Sequence, residues 1–288
     1  MPELPEVEIV KQSLSKKIKH KRVKKIIIKN RNLRFKLDHN FSNIVKNSVV
    51  ENISRFSKYL IIKLDNSYYW LIHLGMSGTL HVVDKNKQKF LTNLSFYQSP
   101  NLPEKHNHIH ISFDKFKIIY NDPRRFGYFL LLKSKYKLDE FISNYGPEPF
   151  NKKFNQTYLK KKLSNKSKNI KNYLLDQKFV SGIGNIYASE ILFLAKINPE
   201  RKSAKLNLSD YKKIIFFSKK VLKKAIKKGG SSIQNFKNSN GKTGSFQKYF
   251  QVYDREGMHC LSKKCDGIIK KKVISNRSSF YCNICQKI

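Results

Sequence analysis

The sequence predicts an α+β chain built from more than one domain. Three observations carry this: one amphipathic helix followed by a series of short β-type runs, a return to helical periodicity after about residue 150, and cysteines confined to the C-terminal end. At 288 residues the chain is long enough for about two domains with real cores.

Val7, Val10, Leu14 and Ile18 recur at helical spacing with lysines between them, so residues 7–18 form one helix. From about residue 22 the pattern becomes strand-like, in Val23–Ile28, Tyr59–Leu64, Tyr68–Ile72, Ile109–Phe113 and Lys117–Tyr120. Turn signals such as Asp65-Asn66 and Asp114-Lys115 separate them, which suits a β-sandwich or barrel. Residues 84–105 are polar and irregular, as in a long surface loop.

After Tyr145-Gly146-Pro147-Glu148-Pro149 the apolar positions Leu159, Leu163, Ile170, Leu174 and Phe179 fall on helical segments. Ser181-Gly182-Ile183-Gly184-Asn185 interrupts them before a helix from Ile186 to Lys196. Ser209 can cap a further helix that Gly229-Gly230 closes. Residues 231–247, rich in Ser, Asn, Gly and Lys, read as a mobile loop. The expected domains are therefore 1–134, a linker at 135–150, a helical domain at 151–247, and a cysteine domain at 248–288.

Lysine and arginine number 59 against 20 acidic residues, a formal charge of +39. Such an excess points to a polyanionic partner, with nucleic acid first, although lysine scattered through every segment also suits a compositional bias. No apolar run reaches the length of a membrane span, and the acidic N-terminus lacks a signal-peptide pattern, so a cytoplasmic, nucleoid-associated protein is expected.

The first residues, Met1-Pro2-Glu3-Leu4-Pro5-Glu6, allow an unusual chemistry. Removal of Met1 would make Pro2 a secondary amine with a pKa of about 8, partly neutral near pH 7 and able to form a Schiff base. Glu3 and Glu6 supply carboxylates for proton transfer. The other reading is a stiff tail that starts a helix.

The cysteines follow Cys260-x4-Cys265-x16-Cys282-x2-Cys285, a zinc-ribbon spacing. Four thiolates leave no open position, so one Zn2+ per chain would be structural, and the hairpin between the pairs would present Arg277. In Asp122-Pro123-Arg124-Arg125-Phe126-Gly127 an exposed aromatic beside two arginines could enter a duplex; the alternative is a buried Phe with two solvated arginines. His73-Leu74-Gly75-Met76-Ser77-Gly78 either pushes Met76 outward or packs it in a core. Gly182-Ile183-Gly184-Asn185 is either a plain turn or a helix N-terminus offered to an anion.

These segments, with Ser57-Lys58-Tyr59-Leu60 and Asn185-Ile186-Tyr187-Ala188-Ser189-Glu190, occur in the order of one family. The chain resembles, end to end, the bacterial formamidopyrimidine-DNA glycosylases of base excision repair. The resemblance implies an N-terminal β-sandwich, a helix-two-turns-helix domain and a zinc finger. It implies excision of oxidised purines (8-oxoguanine and formamidopyrimidines) from double-stranded DNA by a monomer, then β,δ-elimination at the abasic site. The lesion is flipped out of the stack. Pro2 would be the nucleophile, Glu3 its acid-base partner, and Lys58 a proton donor at the lesion or its phosphate. Met76, Arg124 and Phe126 would fill the space left by the flipped nucleotide. His106, Arg125, Asn185 and Arg277 would contact DNA, with Arg277 also assisting elimination. The loop near Ser231–Ser245 would cap the lesion.

The x4 spacing of the first cysteine pair and the length of the 84–105 loop depart from the family pattern. The nearest rival is an endonuclease VIII-type glycosylase for oxidised pyrimidines, whose sequences tend to carry Gly where this chain has Leu4. A non-catalytic zinc-finger nucleic-acid binder is the other, and it gives no reason for Pro2-Glu3.

Overall fold

The computed structural model describes residues 2–84, 90–94, 103–231 and 245–287. It divides into two compact units, 1–142 with 226–247, and 143–225 with 248–288.

The first unit opens with helix α1 (Leu4–Ile18), which carries Pro5 in its first turn. Val7, Val10, Leu14 and Ile18 are buried, as their spacing predicts. The strands follow as β1 (Lys25–Ile28), β2 (Val50–Phe56), β3 (Tyr59–Leu64), β4 (Tyr69–His73), β5 (Thr79–Asp84), β6 (Phe90–Leu94), β7 (Asn107–Ser112), β8 (Phe116–Asn121) and β9 (Tyr128–Leu132). A short helix α2 (Phe41–Val45) lies between β1 and β2.

Two antiparallel sheets result, in strand order β1-β7-β8-β5-β6 and β2-β3-β4-β9. One core contains residues of both, including Leu60, Ile62, Trp70 and Phe129 from one sheet and Leu80, Val82, Ile109, Ile111 and Tyr120 from the other, with Val7, Val10 and Leu14 of α1. This is a sandwich with the N-terminal helix packed into it.

Two sequence expectations change. The stretch 84–105 is not a loop throughout, because β6 pairs with β5 in the register Leu80↔Leu94, His81↔Asn93 and Val82↔Thr92. Residues 135–150 contain helix α3 (Lys135–Ser143), with Leu138 packed against Ile61 and Leu71.

The second unit contains α4 (Gln156–Leu163), α5 (Ile170–Leu175), α6 (Asn185–Ala195) and most of α7 (Leu208–Lys227). Asparagines cap the first two: Asn155 accepts from the Tyr158 N–H at 2.9 Å, and Asn169 from the Asn172 N–H at 3.0 Å. Helix α6 is buried on nearly every side, which is why its apolar residues show little one-faced pattern. The cysteine segment adds a hairpin, β10 (Ile269–Ile274) and β11 (Arg277–Cys282). Its core of Val252, Ile269, Phe280 and Cys282 is shared with Phe193 of α6. Buried Glu190 on α6 fixes the approach to this hairpin by accepting the N–H groups of Gln251, Val252 and Tyr253 at 2.9–3.1 Å. Burial pushes its carboxyl pKa up, and those three donors pull it back.

Candidate nucleic-acid interface and active site

In the first unit, α1 brings Pro2 and Glu3 into a buried position. Glu3 N–H donates to Glu6 Oε2 at 2.9 Å. The other oxygen, Glu6 Oε1, accepts from the N–H of Ser231 at 2.8 Å and from its hydroxyl at 2.9 Å. Glu6, expected from the sequence as a carboxylate for proton transfer, ties the N-terminal turn to the start of segment 231–245. Residues 232–244 of that segment, where a lesion-capping loop is expected, lie outside the described residues.

Lys58 lies in a two-residue turn joining β2 to β3, not within β3, with Phe56 paired to Tyr59 on either side. Ser57 takes a positive φ of 54° there. Arg55 holds this turn to the helix: its Nε donates to Glu8 Oε2 at 3.0 Å, and its Nη1 to the Ser57 carbonyl at 2.9 Å. Both partners of the ion pair are largely buried. Lys58 is buried as well.

His73 was not among the sequence candidates, because only its neighbours suggested a turn. Its pKa is lowered to about 4 by burial, then by the positive charges of Lys58 and Arg34. The ring is therefore neutral near pH 7. Its Nδ1 accepts the Gly75 N–H at 3.1 Å, so the proton resides on Nε2, which is a donor beside two cations.

The Met76 turn and the Arg124–Phe126 turn meet. A Cβ at Gly75, which has a positive φ of 64°, would overlap the Phe126 and Gly127 backbone, so only glycine permits this approach. Met76 is half-buried. Phe126 is 40% exposed, with the Arg124 guanidinium 4.6 Å from its ring centroid. Of the two readings of this turn, the exposed ring fits the outward one better than a fully buried Phe. Arg125 is exposed and holds a positive φ of 54°. Beside them is an open cavity of about 560 Å³ lined by Asn32, Leu33, Arg34, Arg124, Arg125 and Phe126. Arg34, overlooked in the sequence, adds a third guanidinium. His106 is half-buried at the end of a short 3-10 turn (Glu104–His106) just before β7, and its carbonyl accepts the Asp122 N–H at 3.0 Å.

The second unit brings Asn185 and Arg277 together through one carbonyl. The Ser278 carbonyl, next to Arg277, accepts from Asn185 Nδ2 at 2.8 Å and from Lys171 Nζ at 3.2 Å. Lys171 is fully buried and also reaches Ser279 Oγ. Hydropathy gave no signal for a lysine in this place. The hairpin turns at Ser275-Asn276, with positive φ values of 53° and 55°, as a two-residue primed turn requires. Arg277 is left exposed as the first residue of β11.

Also in this unit, the Sγ atoms of Cys260, Cys265, Cys282 and Cys285 lie within 4.8 Å of one another. The wider x4 knuckle closes. Cys260 N–H donates to the Gly267 carbonyl at 2.8 Å, and Ser262 N–H to Cys260 Sγ at 3.4 Å. The group could hold one metal ion. Among the described residues no helix is long and apolar enough to cross a membrane.

Two family models match, described as the formamidopyrimidine-DNA glycosylase N-terminal domain, over residues 1–129, and its H2TH domain, over residues 145–237. Formamidopyrimidine-DNA glycosylase of Rickettsia bellii is 41% identical over the whole of both chains. That of Wolbachia pipientis is 39% identical over 99% of this chain and all of its own. Among solved structures, a Lactococcus lactis enzyme mutant with DNA containing Fapy-dG aligns over 100% of both chains at 32% identity and TM-score 0.87. MutM with DNA containing carbocyclic 8-oxo-G aligns over 100% of both chains at 32% identity and TM-score 0.86. With relatives of this similarity spanning its full length, the chain belongs to the formamidopyrimidine-DNA glycosylase family.

Proposed function

We propose that the chain excises oxidised purines, 8-oxoguanine and formamidopyrimidines, from duplex DNA and then nicks the abasic strand. The Pro2 amine attacks C1′ of the extruded nucleotide, the base departs, and the resulting Schiff base permits β- and then δ-elimination. Glu3 handles the protons at the sugar, Lys58 donates one at the lesion or its phosphate, and Arg277 assists the second elimination. His106, Arg125 and Asn185 contact DNA together with Arg277. Neutral His73 offers its Nε2–H to a phosphate next to Lys58.

The observation that carries this reading is the buried Pro2-Glu3 start of α1, in a chain whose Leu4 fits the purine branch. With Met1 removed, Pro2 would carry a secondary amine beside buried Glu3 and Glu6, for which a simple binder gives no reason. The outward Arg124–Phe126 turn supports extrusion of the lesion, because a wedge must replace the lost stacking.

The metal is zinc. At a Zn–S distance of about 2.3 Å, a tetrahedral site has an S···S edge of about 3.8 Å. The Cys260–Cys285 and Cys265–Cys282 separations are 3.8 and 3.7 Å, and Cys265–Cys285 is shorter, at 3.2 Å. Four soft thiolates fill the coordination sphere, so the ion holds the hairpin and takes no chemical part. The protein acts as a monomer.

Single-turnover excision from duplexes carrying 8-oxoguanine or thymine glycol tests the substrate. Release of 8-oxoguanine at least about tenfold faster is expected, equivalent to about 1.4 kcal/mol in the barrier. Faster release of thymine glycol would assign the pyrimidine branch. Binding of lesion DNA without release of either base would leave only a binder.

A further inference from the structure

We propose that Asp122 is a positioning residue for discrimination of the base opposite the lesion. Its buried carboxylate fastens the Met76 turn to the Arg124–Phe126 turn, so these three side chains enter a duplex as one body. This rests on the reading above, in which they fill the space left by an extruded nucleotide.

Asp122, the residue just after β8, is fully buried. Its Oδ1 accepts from the Ser77 hydroxyl and from the Arg124 N–H at 3.3 Å. Its Oδ2 accepts from the Tyr120 hydroxyl at 2.9 Å and the Gly127 N–H at 2.8 Å. Arg124 N–H also lies 3.2 Å from Ser77 Oγ. One donor thus comes from the residue after Met76, and two from the backbone on either side of Arg125-Phe126. The main chain of Asp122 extends the joint: its N–H reaches the His106 carbonyl at 3.0 Å, and its carbonyl lies 2.8 Å from His108 Nε2.

The chemistry of the group matters more than its size. A carboxylate accepts at two oxygens with about four lone-pair sites, which equals the donors converging here. Burial and the neighbouring Asp122 charge push the Tyr120 hydroxyl pKa up, so it remains a donor. Asparagine has the same shape but turns an NH2 group toward one pair of these donors, leaving them without an acceptor. Steric fit acts in the same direction, since a Cβ at Gly78 or Gly127 would overlap the Tyr120 hydroxyl. Arg124 is donor-only and distinguishes opposite bases only if its position is fixed.

The test compares Asp122→Asn, Ser77→Ala and Phe126→Ala, singly and with Asp122→Asn combined with Phe126→Ala. Single-turnover excision of 8-oxoguanine is measured opposite cytosine and opposite adenine, with nicking of a preformed abasic site as a second assay. Zinc content and melting temperature are recorded for each protein. Asp122→Asn is expected to slow excision from paired duplex about tenfold or more and to bring the cytosine-to-adenine ratio toward one, while abasic-site nicking stays within about threefold. In the Phe126→Ala background the same substitution should cost less than about threefold, because it acts through that turn.

A fold brace with no role in selectivity would lower every activity in proportion to lost stability and would add fully to Phe126→Ala. That outcome, or an unchanged cytosine-to-adenine ratio, overturns the proposal. If Asp122→Asn fails to fold, Ser77→Ala decides: it removes one donor and must show a smaller shift of the same ratio, and an intact ratio refutes the proposal. A wild-type protein that excised nothing would instead sink the glycosylase reading, and this proposal with it.

Discussion

Phe126→Ala separates a wedge from a core residue. Whole burial of a phenylalanine makes its truncation cost about 3–5 kcal/mol in stability. Phe126 is 40% exposed, and the Arg124 guanidinium lies 4.6 Å from its ring centroid. A stack of that kind at an exposed site contributes about 0.5–1 kcal/mol. The substitution should therefore cost about 1–2 kcal/mol in stability and lower the melting temperature by only a few degrees, at about 2–4 °C per kcal/mol. Excision should respond more strongly. Extruding a base costs a few kcal/mol in lost stacking, which the wedge offsets. Losing about 2 kcal/mol of that offset slows base release from paired duplex about 30-fold. A bulged lesion, already unstacked, should lose less than about fivefold. No charge changes, so the slope of log K against log salt should stay as it was. Single-turnover kinetics on both substrates, a salt titration and a thermal melt check this. Equal losses on both substrates, with a melting temperature more than about 10 °C lower, would show that Phe126 is packing and would remove the wedge from the account.

Three further outcomes are expected. Arg277→Ala should weaken lesion and undamaged duplex alike and flatten the salt slope by about 0.9, since a phosphate contact carries no sequence information; a loss confined to lesion DNA would reassign the residue. Cys265→Ser should abolish the one bound zinc and free the β10–β11 amides for hydrogen exchange, while the β-sandwich amides keep their protection; normal lesion binding by zinc-free protein would refute the metal's role in holding Arg277. His73, with a folded pKa of about 4 against an ordinary 6.5, takes up its proton far later in the folded chain than in the unfolded one. Its contribution to stability is complete above about pH 6.5 and is lost as the pH falls toward 4. NMR of the ring should show no titration between pH 5.5 and 7.5, and a midpoint near 6.5 would contradict a ring desolvated beside Lys58 and Arg34.

The sheet domain was legible where strands are apolar along most of their length. Tyr59–Leu64 is β3 to the residue, and Ile109–Phe113 lies within one residue of the end of β7. β2 was missed because only Val50 and Ile53 of its seven residues are buried, among Glu51, Asn52, Ser54 and Arg55. β9, an unbroken apolar run at Tyr128–Leu132, was passed over beside the stronger turn signal of Asp122–Gly127. The helices were legible where a cap or glycine marks an end, as at Gly184 before α6 and Gly229 after α7. What remained hidden was the set of buried polar groups. Asp122, Lys171 and Glu190 look like solvated charges to any hydropathy pattern, yet each is fixed by partners far along the chain or across a turn. Glu6 likewise takes its place from Ser231, 225 residues away, which a local pattern does not reveal.

In the proposed mechanism the amine of Pro2 becomes covalently joined to the sugar of the lesion. Incubating the mature protein with an 8-oxoguanine duplex and sodium borohydride, then digesting and sequencing the adduct by mass spectrometry, measures this directly. The expected result is a single reduced adduct on an N-terminal Pro2 whose Met1 has been removed, absent when that amine is acetylated. An equally abundant adduct on Lys58 or any other lysine, or base release with no trapped complex, would contradict it.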